Sequence, residues 1–75
     1  MTRVLSVELS DDAALVLFDF LSRVNRAYAA IMEDQAEARV LWDIEADLER
    51  ALDVVVARDY EAQVQEARSR VRDHP

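Results

Sequence analysis

The 75-residue sequence contains no cysteine, no glycine and no lysine, and it has one histidine and one proline. Each absence removes a class of function. Without cysteine there is no disulfide framework, no thiol nucleophile and no cysteine-based zinc site. Without glycine the backbone cannot approach a phosphate as nucleotide loops require. The one imidazole, His74, adjoins the last residue and leaves Ser6, Ser10, Ser22 and Ser69 without a base to activate them. No apolar run approaches the ~20 residues that cross a bilayer, and the opening residues lack the basic-then-apolar layout of a secretion signal. A cytoplasmic protein with no membrane contact is therefore expected.

All nine basic residues are arginine, set against sixteen acids, for a net charge of -7. Arginine in place of lysine, beside abundant Ala, Val and Asp, fits a high-GC bacterial source. The negative balance argues against nucleic acid, because sequence-independent affinity for phosphate comes from a concentrated positive surface that releases counterions. The acidity is local: residues 33–53 carry eight acids and two arginines, whereas residues 54–75 carry four of each. Such a segment can steer toward a basic partner protein or simply act as a solvated face.

What is present, 52% apolar and 33% charged residues, is enough for one small globular domain over residues 1–75. Alternation of Leu5, Val7 and Leu9 against Val4, Ser6 and Glu8 predicts a short strand over 3–9. Ser10 is placed to cap a helix whose first turn holds Asp11 and Asp12. The stripe Ala14, Leu17, Leu21, Val24, Tyr28 and Ile31 predicts a helix over 11–32, with Asp19, Ser22 and Arg26 on its polar back. Asp34 and Glu37 form a D-x-x-E variant of the capping box, opening a second helix over 35–55 whose face is Leu41, Ile44, Leu48, Leu52 and Val55. Successive β-branched residues at Val54–Val56 either extend that helix or form a strand. A third helix over 60–72 follows Asp59, with Tyr60, Val64, Ala67 and Val71 inward and a Glu66–Arg70 pair outside. The expected fold is mostly α: a three-helix domain with one short N-terminal β-strand, which can pair across a dimer or with the Val54–Val56 run.

Carboxylates one turn apart, Asp43 with Asp47 and Glu45 with Glu49, invite a metal-site reading. Helical di-metal sites add histidines at E-x-x-H spacing, and none is near. No catalytic residue, metal or cofactor is therefore expected, and the chain is read as a non-enzyme.

Three large apolar residues fall outside the expected core stripes. Leu15 projects to nearly the opposite side of the first helix from its stripe, Phe18 to its flank, and Trp42 lies more than ~100° from the second helix's stripe. Either a middle helix with two neighbours needs so wide a face, or these residues anchor a contact with another protein. The expected contact surface comprises Leu15, Phe18 and Trp42, surrounded by Asp43, Glu45, Glu49 and Asp53.

The segment Arg3-Val4-Leu5-Ser6-Val7-Glu8-Leu9-Ser10-Asp11 resembles the opening of ribbon-helix-helix repressors and antitoxins. In that family two strands pair across a dimer and enter the major groove. The first helix here is longer than theirs, the glycine-containing turn is missing, and Val4, Ser6 and Glu8 form a poor face for DNA. A second likeness spans Glu8–Phe18 and Asp34–Asp43, which look like parts of a group of short, uncharacterised bacterial proteins; it implies no activity or site. The resulting expectation is a small acidic interaction module of antitoxin, immunity or adaptor type. A homodimer is expected, with a basic protein as further partner; the alternative is a ribbon-helix-helix-like DNA-binding regulator or antitoxin.

Overall fold

Ser10, itself in an extended conformation, marks where the N-terminal segment gives way to helix. In a computed structural model of the chain, which describes residues 3–52 and 59–73, its Oγ accepts the Ala13 N–H at 3.1 Å. Asp11 and Asp12 fill the first turn of α1 (Asp11–Arg26), where negative charge complements the helix dipole. The expected helix over 11–32 is interrupted at Ala27, whose N–H is shared between the Arg23 and Val24 carbonyls at 3.2 and 3.0 Å. A single further turn, α2 (Tyr28–Ile31), follows. No residue type at Arg26-Ala27-Tyr28 demands that break.

Asp34 caps α3 (Gln35–Ala51) by accepting the Ala36 N–H at 2.7 Å. Glu37 reaches back as expected, but it accepts the N–H of Glu33 rather than that of the cap itself, at 2.8 Å. Regular helix ends at Ala51, and the Leu52 N–H closes on the Leu48 carbonyl at 3.0 Å. The expected continuation to Val55, and the choice between helix and strand for Val54–Val56, lie outside the described residues. α4 (Tyr60–Asp73) starts from Asp59, whose carbonyl accepts the Gln63 N–H while its carboxylate holds the Gln63 side chain. Among the described residues no φ is positive. A chain without glycine ends its helices through extended or near-helical caps instead of left-handed ones.

α1 is the middle element. Pairs such as Asp12 with Arg70 and Phe18 with Tyr60 set α4 antiparallel to one side of it, and Asn25 with Glu45 and Tyr28 with Trp42 set α3 antiparallel to another. α3 and α4 scarcely touch each other. The α1/α4 seam is apolar at its centre: Leu15 packs with Val64 and Ala67, and Val16, Leu52 and Tyr60 close round them. Phe18 meets the Tyr60 ring edge-on at 6.5 Å. Ala67 and, on α3, Ala38 are fully buried, small side chains that let helices approach closely. Ion pairs flank the apolar centre. Arg70 bonds both Asp12 oxygens at 2.7 and 2.9 Å and holds that carboxyl below its ordinary value. The expected Glu66–Arg70 pair forms beside it at 3.8 Å.

Two expectations are corrected here. Leu15 and Phe18 are not surface anchors: they are 5% and 7% exposed, in the core with Leu21. The broad apolar face anticipated for a middle helix belongs to α1, which has a neighbour on either side, so its flank is covered as well as its stripe. Nor is there a strand at 3–9. Residues 3–10 have no regular secondary structure and are all exposed, because a lone strand is not stable without a partner edge and no strand occurs elsewhere among the described residues.

Leu15→Ala should destabilise the fold by about 2–4 kcal/mol, the cost of a large-to-small change in a packed core. Leu5→Ala, on the exposed segment, should stay within about 0.5 kcal/mol at dilutions where the chain is monomeric. Urea unfolding of both variants checks the contrast, and equal losses would contradict this packing.

Candidate interaction surface

The N-terminal segment carries the most exposed apolar residues described. Val4, Leu5 and Val7 are 86%, 78% and 80% exposed, and Leu9 is also open to solvent. Monomeric domains rarely leave a contiguous apolar surface uncovered, and alternation along an extended chain puts Leu5, Val7 and Leu9 on one side. On α3, Val40 and Ile44 are exposed one turn apart. Trp42 lies two residues from each of them and so ~200° round the helix, on the other side.

Trp42, the third expected anchor, is 46% exposed. One face of its indole stacks on Tyr28, with ring centroids 6.0 Å apart and planes 29° from parallel. It is thus partly held by α2 and partly free. Asp43 and Glu49 are exposed on α3. Glu45, expected in the same charged surround, turns instead toward α1, where it accepts hydrogen bonds from Ser22 Oγ at 2.8 Å and from Asn25 Nδ2. Asp53 lies outside the described residues. Of the seven expected contact residues, Trp42, Asp43 and Glu49 are therefore the ones exposed on α3.

Sequence reasoning missed a polar groove between α1 and α4. Asp19, expected on the polar back of α1, is largely buried at the seam. Its Oδ1 accepts the Tyr60 hydroxyl at 3.1 Å, and its Oδ2 accepts Arg23 Nε at 3.1 Å and Arg68 Nη2 at 2.9 Å. Beside this centre the groove encloses about 450 Å³ and is lined in addition by Ser22, Arg26, Glu61 and Gln65. Burial first, and then the bond to Asp19, push Tyr60 up to about 12, since ionising it would place a second negative charge beside the carboxylate. Only the Asp19–Arg23 spacing of four residues was a signal in the sequence. Tyr60 and Arg68 reach Asp19 across 41 and 49 residues, which nothing local encodes.

Among the described residues no group of three or more His, Cys, Asp or Glu side chains is placed to hold a metal ion, and no helix is long and apolar enough to cross a membrane. Compared with family models, curated proteins and solved structures, the chain matches none.

Because Tyr60 is raised above its ordinary value of 10.0, its neutral form stabilises the fold fully below pH 10 and progressively less as pH climbs through about 12. Tyr60→Phe, which cannot ionise, should lose less stability over that window than the parent chain. Thermal melts across the alkaline range measure the difference, and parallel curves would be the contrary result.

Proposed function

We propose that this chain is a small acidic interaction module without catalytic activity of its own, and that it pairs with a second copy through residues 3–9. The observation that carries the reading is the exposure of Val4, Leu5 and Val7 on a segment that one chain leaves uncovered. Two such segments related by a two-fold axis complete each other as an antiparallel ribbon: each supplies the backbone N–H and C=O groups the other lacks, and Leu5, Val7 and Leu9 gain cover.

The second surface is the exposed edge of α3 around Trp42, beside α2. Trp42 presents one free aromatic face among Asp43 and Glu49, in the segment that holds half of the chain's acids. An aromatic anchor in an acidic surround suits a basic protein surface. This fits a cytoplasmic bacterial antitoxin, immunity protein or adaptor, roles that share the physical task of covering a basic partner. The ribbon-helix-helix likeness is a second reading of the same arm, favoured by its direct run into the Ser10-capped helix. Against it, Arg3 is the arm's one basic residue, and Glu8 would face phosphate.

Val7→Asp should convert a dimer into a monomer in sedimentation velocity, by placing like charges across the ribbon, while the melting temperature of the folded domain stays within a few degrees. Trp42→Ala should leave that self-association intact and weaken capture of a basic partner more than folding. A parent chain that sediments as a monomer at high concentration sinks the pairing. Retardation of duplex DNA that falls steeply with salt favours the regulator instead.

A further inference from the structure

The α1/α4 groove gathers three arginines in a chain whose net charge is -7. Its wall holds three guanidinium groups, Arg23, Arg26 and Arg68, against two carboxylates, Asp19 and Glu61. Asp19 is fully engaged, because three donors already converge on its two oxygens. Those bonds use one N–H-bearing nitrogen of Arg23 and one of Arg68, leaving further donors on both forks. Arg26 has no ion-pair partner among the described residues.

The donors are also preorganised. Arg23 is held from one side by Asp19 and lies over the Phe20 ring, 5.7 Å from its centroid. Arg68 is fixed by the same carboxylate. Side chains already ordered lose little freedom on meeting a ligand. Of the acids of α3, Glu45 comes up to the groove-lining Ser22, whose hydroxyl it accepts at 2.8 Å, and it opposes the arginines there as Glu61 does on the rim.

We propose that this groove is a binding site for an oxyanion, a phosphate or carboxylate group carried by a small ligand, received by Arg23, Arg26 and Arg68. The planar fork of arginine matches both groups, donating two parallel N–H···O bonds. A volume of about 450 Å³ lies within the usual range for small-ligand sites. Asp19 serves as the positioning residue: it aligns two guanidiniums without itself meeting the anion. Glu61 on the rim opposes binding and limits affinity. The site is independent of the ribbon and of the α3 surface.

The test is a titration of the full chain with inorganic phosphate and, separately, with citrate, each at constant ionic strength balanced by chloride, followed by arginine Nε–Hε resonances in nuclear magnetic resonance. Saturable shifts are expected at Arg23, Arg26 and Arg68, with Arg39 and Arg50 on α3 unmoved. Arg26→Gln removes a side chain with no ion pair to lose, so it should fold normally and bind about fivefold more weakly. Glu61→Gln should bind more tightly. A response to phosphate alone assigns a phosphorylated ligand, and one to citrate alone a carboxylate. Shifts that fail to saturate, that spread over all arginines, or that are unchanged in Arg26→Gln overturn the proposal.

Discussion

Both α3 and α4 rest on α1, and the requirement that one helix bury side chains toward two neighbours at once governs the rest of the structure. At 100° per residue, Leu15 and Val16 look toward α4, Leu21 and Asn25 toward α3, and Phe18 sits near the division between them. A helix on the outside of a bundle needs one apolar stripe; a helix in the middle needs an arc. Residues that look surplus on a single-stripe projection therefore become core once a second neighbour exists. The same constraint pulls Asp19 inward, because an arc that wide leaves little room for a polar back, and a carboxylate drawn into the seam must find donors. Tyr60, Arg23 and Arg68 supply them.

The two seams of α1 are built from different chemistry. Toward α4 the centre is dry, with Leu15, Val64 and Ala67 in one cluster, and the polar groups stand at its margins as paired charges. Toward α3 the pairing is more polar: Glu45 takes bonds from Ser22 and Asn25, while the buried Asn25 Oδ1 has no partner among the described residues. Apolar burial is worth about 25 cal/mol per Å², whereas a hydrogen bond that replaces one to water nets about 1 kcal/mol. The α4 seam thus draws mainly on burial, and the α3 seam owes more to specific directions. α3, whose one fully covered side chain is Ala38, is also the helix that leaves Trp42, Asp43 and Glu49 exposed.

What could be read from the sequence was what neighbours along the chain decide. Ser10 and Asp34 cap where side-chain chemistry says they should, and Val64 and Ala67 are the buried positions of α4, since a helix packed on one side shows a single stripe. Which helix would be central was not legible, because it depends on contacts tens of residues apart. That is why Leu15 and Phe18 fall outside the single stripe the spacing predicts, and why the groove around Asp19 leaves little trace in the sequence. The alternation in Leu5, Val7 and Leu9 is real, but alternation states only that a strand could form with a suitable edge; one chain provides none among the described residues, so the segment has no regular structure and is open.

The balance between core and surface follows from size. A domain of this length hides a smaller fraction of its apolar surface than a larger one does, and here the buried apolar side chains among the described residues are Leu15, Phe18, Leu21, Ala38, Val64 and Ala67, two of them alanines that contribute closeness more than area. Stability must therefore be concentrated where α1 meets α4, and residues beyond that seam gain little by turning inward. Val4, Leu5 and Val7 have no such seam to join, and Val40 and Ile44 stand on the outer side of a helix already committed to α1. Apolar groups left in water by geometry still gain free energy from any surface that covers them. Among the described residues nothing covers them, which ties the sparse core directly to the proposal that the protein acts through its contacts.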